Sequence, residues 1–221
     1  MILLGSTGSI GVNTLNIARK FNLNVEVLVA GRNIQLLNQQ IKEFNPKIVV
    51  IDRVEDIHLV CHNNVLFGQE AILQAIEQST SSTVVNALVG FLGLKPTLKA
   101  IECGKKIALA NKESLVVAGK FIDQTNLNPI DSEHFGLWYL LQDKKIDSMM
   151  VTASGGSFRD YPLDELRNVS IKEALAHPNW SMGNKITIDS ATMTNKMFEL
   201  MEAAWLFDIR KLDAVIETKS L

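Results

Sequence analysis

The 221-residue sequence predicts an α/β fold: a doubly wound, mostly parallel sheet followed by a second, smaller α+β domain. Three observations predict it. Short apolar runs rich in β-branched residues alternate with amphipathic stretches from the first residue, a glycine-rich turn joins the first two, and the rhythm breaks after a polar turn near Thr125. In order, Met1–Leu4, Val25–Ala30, Ile48–Ile51, Val65–Phe67, Val84–Val85 and Ile107–Ala110 read as strands. Between them, Ile10–Phe21, Ile34–Phe44, Glu70–Gln78, Lys95–Cys103 and Glu113–Asp123 carry apolar residues three and four apart, the spacing of one helix face.

The turn Thr125-Asn-Leu-Asn-Pro129 places a boundary between domains 1–127 and 128–221. The second domain is expected to hold a strand ending at Asp131, a helix over Phe135–Leu141, a strand over Asp147–Ala153 and a helix from Thr192 to about Phe207. A last strand is expected from Val215. Because so little chain follows it, the second domain is expected to be incomplete.

Composition narrows the function. Apolar residues make up 47% and charged residues 21%, which excludes disordered and collagenous classes. With 22 basic and 24 acidic residues there is no overall field to attract nucleic acid, so any phosphate site must be local. Cys61 and Cys103 are too few for a disulfide framework or a thiolate zinc site. The apolar stretch Ala87–Leu94 is interrupted by Gly90 and Gly93 and is too short to span a bilayer. Met1-Ile-Leu-Leu4 has no basic leader and reads as a strand, so a cytoplasmic location is expected.

The turn Gly5-Ser-Thr-Gly8-Ser-Ile-Gly11 lies between the first strand and the first helix of a βαβ unit. There, glycines let backbone approach a pyrophosphate at the positive helix end, as in a Rossmann-like dinucleotide-binding domain. Tight packing alone would also call for glycines here. The second strand runs into Ala30-Gly-Arg-Asn33, where an NAD enzyme usually carries an acid. Arg32 with no acid beside it suits the 2′-phosphate of NADPH, although a solvated Arg32 beside an Asn33 helix cap is the plainer reading.

Asp131 and Glu133 stand where a strand gives way to a helix, and Glu199 and Glu202 lie one turn apart. An all-oxygen set of Asp131, Glu133 and Glu199 suits Mg²⁺ or Mn²⁺, with Glu202 outside it; helix-start and solvated-face charges are the alternative. Ser154-Gly-Gly-Ser157 and Ser190-Ala-Thr-Met-Thr-Asn-Lys196 offer hydroxyls, N–H groups and the mobile charge of Lys196 to one phosphate, at a helix start that Ser190 or Thr192 would also cap. His177-Pro-Asn-Trp-Ser-Met-Gly183 carries Trp180 and Met182 in a loop, which suggests a closing lid.

The motifs Gly5–Gly11, Ala110-Asn-Lys-Glu-Ser-Leu-Val116, Pro129-Ile-Asp-Ser-Glu-His134, Thr152-Ala-Ser-Gly-Gly156, His177–Gly183 and Asp189–Lys196 resemble, in order, those of the 1-deoxy-D-xylulose 5-phosphate reductoisomerase family. The resemblance implies NADPH contacts from Thr7, Gly8, Ser9, Ile10, Gly31, Arg32, Asn33, Asn111, Glu113 and Gly183. It implies Asp131, Glu133 and Glu199 as ligands of Mg²⁺ or Mn²⁺, with Lys112, Glu133 and His177 in the chemistry. Around the substrate it implies Ser132, Ser154, Ser190, Asn195, Lys196, Trp180 and Met182, under a flap of about 154–183. It further implies a homodimer that rearranges and reduces a phosphorylated sugar. An inert NADPH-binding fragment and a simple NADP-dependent dehydrogenase are the rival readings.

Overall fold

The computed structural model describes residues 1–141, 145–179 and 182–217. These divide into two compact units, one spanning Met1–Asp131 and one beginning at Ser132.

The first unit is the expected doubly wound sheet. Strands β1 (Ile2–Leu4), β2 (Val27–Val29), β3 (Ile48–Ile51), β4 (Val65–Phe67), β5 (Thr83–Asn86), β6 (Lys106–Leu109) and β7 (Leu127–Pro129) pair in the order β4-β3-β2-β1-β5-β6-β7. Every pairing is parallel, with Leu3 in register with Leu28 on one side and Val85 on the other. Helices α1 (Ser9–Lys20), α2 (Ile34–Phe44), α3 (Gln69–Gln78), α4 (Leu94–Glu102) and α5 (Lys112–Ala118) form the crossovers. Strands β1, β2 and β3 are buried along their whole length, as unbroken apolar runs require when helices cover both faces of a sheet. Leu15 and Ala18 of α1 and Leu37 and Ile41 of α2 pack into that core.

The order steps outward from β1 to β4 and then returns to β5 beside β1, which opens the crevice where such sheets take their ligands. At the opposite ends of the strands, just before β2, Glu26 is 4% exposed. Its carboxylate accepts from Ser79 Oγ (2.7 Å), Ser81 Oγ (2.6 Å), Ser81 N–H (2.9 Å) and Lys47 Nζ (3.2 Å). Burial alone would raise its pKa, but these donors outweigh burial and hold it well below the usual carboxylate range.

The first unit runs to Asp131, beyond the boundary expected after residue 127. Asn128 and Pro129, placed in the second domain from sequence, instead continue a strand, Leu127–Pro129, that adds to the first sheet beside β6. A turn signal marks a chain reversal, and cannot show which sheet the next strand joins. The helix expected over Glu113–Asp123 ends at Ala118, followed by a tight turn over Gly119–Phe121.

In the second unit, α6 (Ser132–Leu141) leads to β8 (Met149–Ala153), which pairs in parallel with β9 (Leu212–Ile216). The latter begins three residues before the expected Val215. Helix α7 (Ile171–Ala174) is closed by a capping box in which Ser170 and Glu173 bond each other's backbone N–H. One helix was expected from Thr192 to Phe207; the chain instead forms α8 (Asn184–Ala191) and α9 (Thr194–Phe207). Met193 stands between them at φ 60°, a left-handed residue that breaks the ladder. Ser190 therefore lies inside α8 and Thr192 closes it, so neither caps α9 with its side chain. A small cluster of Met149, Ala203 and Ile209, flanked by Leu137, Leu141, Phe207 and Leu212, forms the apolar core.

Candidate active site

In the first unit, Gly5 adopts φ 86°, and a β-carbon there would lie 2.6 Å from Ala87 O. A β-carbon on Gly11 would meet Gly5 O at 2.2 Å, so both positions demand glycine for close approach. Gly8 is exposed at the N-terminus of α1, and no acid occupies the first turn. Thr7, Gly8, Ser9 and Ile10 thus surround a helix end whose positive pole is open to an anion.

Gly31 and Arg32 are exposed at the end of β2, and Asn33 caps α2 by accepting from Leu36 N–H at 3.1 Å. The expectation that Arg32 has no acid beside it is corrected: Asp52, just past β3, lies 3.5 Å from Arg32 Nε. The two are distant in sequence and adjacent only because β2 and β3 pair. At 74% and 52% side-chain exposure, the pair is worth about 0–1 kcal/mol and yields to a stronger anion.

Asn111 is 1% exposed and caps α5. Its Nδ2 donates to Leu88 O (2.8 Å) and Gly90 O (2.9 Å), while Glu113 accepts from Gly90 N–H (3.2 Å). Both side chains hold the loop after β5 at the crevice. Buried Lys112 reaches Asp131 Oδ2 at 2.6 Å, so the unit places an ammonium against this carboxylate.

In the second unit, α9 turns one face inward and buries Lys196, Glu199, Glu202 and Ala203. Lys196 Nζ bonds Glu199 and Thr152 O and lies 3.5 Å from Glu133 Oε1. Its charge was expected to be mobile; it is buried and fixed, because two carboxylates and a carbonyl surround it. Asn195 Nδ2 donates to Glu199 Oε1 at 2.6 Å, and Ser132 Oγ to Glu133 Oε2 at 2.6 Å. An ammonium between Glu133 and Glu199 marks a place that favours a cation, and oxygen donors of this kind fit a hard divalent ion.

Ser154, Gly155, Ser190, Asn195, Lys196 and Glu133 line one polar pocket. A β-carbon on Gly156, which adopts φ 71°, would meet Ser190 O at 2.4 Å, so this glycine lets the loop after β8 reach α8. Ser154 Oγ lies 3.1 Å from His177 Nε2. Burial, and then the charge of Arg159, lower the His177 pKa. Met182 is half-buried and Gly183 is exposed at the start of α8; Trp180 lies outside the described residues.

Glu202, expected just outside the metal set, has a buried partner that the sequence reading did not single out. His134 and Glu202 are both fully buried, with His134 Nδ1 3.2 Å from Glu202 Oε2 and Nε2 2.9 Å from Glu199 O. The signal was there: Glu202 is one turn from Glu199 on the inward face of a helix.

A doubly wound sheet with a glycine turn at its switch point, joined to a unit with buried acids and a polar pocket, defines a two-unit α/β class of protein with a Rossmann-like first unit. Residues 1–119 match the family model described as 1-deoxy-D-xylulose 5-phosphate reductoisomerase, and residues 127–207 the model of its C-terminal domain. The chain belongs to this family. Relatives of that name from Nautilia profundicola and Wolinella succinogenes are 59% and 57% identical over all of this chain, which spans 63% of each relative's length. A crystal structure of a reductoisomerase with NADPH, fosmidomycin and magnesium is similar at TM-score 0.91 and 37% identity, covering 100% of this chain and 61% of that one. The Zymomonas mobilis enzyme with NADPH gives 0.87 at 36% identity, covering 99% and 61%. No described helix is long and apolar enough to cross a membrane.

Proposed function

We propose that this chain carries the NADPH-binding and catalytic portions of an enzyme that rearranges and reduces 1-deoxy-D-xylulose 5-phosphate to 2-C-methyl-D-erythritol 4-phosphate. The observation that carries the reading is the pocket of the second unit, where hydroxyls and an amide that suit an anion meet carboxylates facing the Lys196 ammonium. The solved relatives bound to NADPH and to magnesium support the same assignment.

NADPH would be held by Thr7, Gly8, Ser9 and Ile10 along the pyrophosphate, by Gly31, Arg32 and Asn33 at the 2′-phosphate, and by Asn111, Glu113 and Gly183 further along. Asp131, Glu133 and Glu199 would hold Mg²⁺ or Mn²⁺; Lys112 faces Asp131, and Lys196 faces Glu133 and Glu199. When bound, the nucleotide supplies a hydride and the ion polarises substrate oxygens. Ser154, Ser190, Asn195 and Lys196 would grip the substrate phosphate, so that remote binding energy orients the reacting carbons. Ser132, whose hydroxyl donates to Glu133 Oε2 at 2.6 Å, would also contact the substrate. Lys112 and His177 would exchange protons with the substrate, while a flap of about 154–183, with Trp180 and Met182, would exclude water. Family resemblance also supports a homodimer in the cytoplasm, which light scattering and fractionation test.

The deciding measurement is NADPH oxidation with deoxyxylulose phosphate, with and without Mg²⁺. Turnover that survives complete chelation would support the plain dehydrogenase and defeat this reading.

A further inference from the structure

Arg159 belongs to none of the groups above, yet its guanidinium joins a segment lining the candidate pocket to the loop that carries His177. Its Nη1 donates to Ser154 O at 3.2 Å and reaches Asn179 Oδ1 at 3.5 Å, while Nε donates to Asp160 Oδ2 at 3.0 Å. The side chain is only 20% exposed. Its stem lies where Gly155 has no side chain: a β-carbon there would be 2.7 Å from Arg159 Cβ.

The segments so joined carry His177 and Ser154. His177 Nδ1 accepts the Asn179 main-chain N–H at 3.1 Å. An amide nitrogen can only donate, so Nδ1 carries no proton, and the network assigns neutral His177 the Nε2–H tautomer. That proton points at Ser154 Oγ, 3.1 Å away. The Ser154 hydroxyl, accepting in this contact, keeps its own proton for another partner, and Ser154 lines the pocket with Ser190, Asn195 and Lys196.

We propose that Arg159 is a positioning residue: by tying Ser154 to Asn179 it holds His177 Nε2–H on the Ser154 hydroxyl, which turns that hydroxyl into a donor for an oxyanion in the pocket. This rests on the pocket being an anion site, as argued under the proposed function.

The test uses the whole chain, inorganic phosphate as probe, and long-range ¹H–¹⁵N spectra of the imidazoles at a pH where His177 is neutral. Wild type should show the Nε2–H pattern at His177. Arg159→Gln should lose it and bind phosphate about tenfold more weakly, the low end for one lost hydrogen bond to a charged group; Arg159→Lys should restore part of both. Unchanged signals from buried His134 certify the fold of each variant. Ser154→Ala should weaken phosphate to a similar degree, and adding Arg159→Gln to it should cost nothing more, because the two act through one hydrogen bond. Additive losses, or an unaltered His177 pattern in Arg159→Gln, overturn the role of Arg159. Failure of wild type to bind millimolar phosphate overturns the anion pocket itself, and the proposal with it.

Discussion

In the first unit, apolar residues from Leu3 to Val85 form one cluster beneath helices, whereas the core cluster of the second is Met149, Ala203 and Ile209 with a few partly buried neighbours. Their buried charges differ in the same direction. Glu26 sits just before β2, at the ends of the strands away from the glycine turn, with its oxygens met by serine, threonine and lysine donors, so it serves the fold. Lys196, Glu199 and Glu202 lie on one helix face beside a polar pocket, in space a structural helix would fill with leucine. A protein can bury charge for stability or for chemistry. The difference shows in the partners: main-chain turns, short hydroxyls and one exposed lysine in one case, other buried charged groups in the other.

Substitutions aimed at each unit should therefore fail in different ways. Glu199→Gln should produce the largest effect, a loss of Mn²⁺ affinity above about 100-fold, since even outer partners of metal ligands cost about 10–100-fold. Calorimetry checks it, and NADPH affinity should stay within a factor of about two.

Glu26→Ala should leave the Ser79, Thr80 and Ser81 donors unmet and lower the stability of the first unit by about 3 kcal/mol in urea denaturation. Acid sharpens this. The folded pKa of Glu26 is depressed, so its contribution is complete above the unfolded carboxylate value and is lost as pH falls through that value toward the folded one. Stability curves of wild type and Glu26→Gln should converge as pH drops below about 4; curves that stay parallel would remove Glu26 from its structural role.

Gly156→Ala places a β-carbon 2.4 Å from Ser190 O at a positive φ, and should destabilise the second unit by about 2 kcal/mol while sparing NADPH binding. Arg32→Asp should reduce preference for NADPH over NADH about tenfold, near 1.4 kcal/mol, read from the ratio of kcat/KM values. Asp52→Asn is the smallest: it frees Arg32 from an exposed partner and should tighten NADPH by about twofold at low salt, fading as salt rises. An unchanged affinity would mean the pair does not compete with the nucleotide.

The sequence by itself determined the alternation of strand and helix, the glycine turn and the chemistry of the side chains, because periodicity and residue type are local properties. It showed Glu133, Glu199 and Lys196 as candidates, and Arg32 where a nucleotide phosphate would lie. Only the tertiary structure decided that β7 joins the first sheet, that Met193 divides one expected helix into two, and that Lys196 is fixed between carboxylates. Asp52 beside Arg32 and Glu202 against His134 are of the same kind. Each depends on which surfaces meet when residues far apart in sequence pack. That is set by long-range pairing and close packing, which no local window of sequence contains.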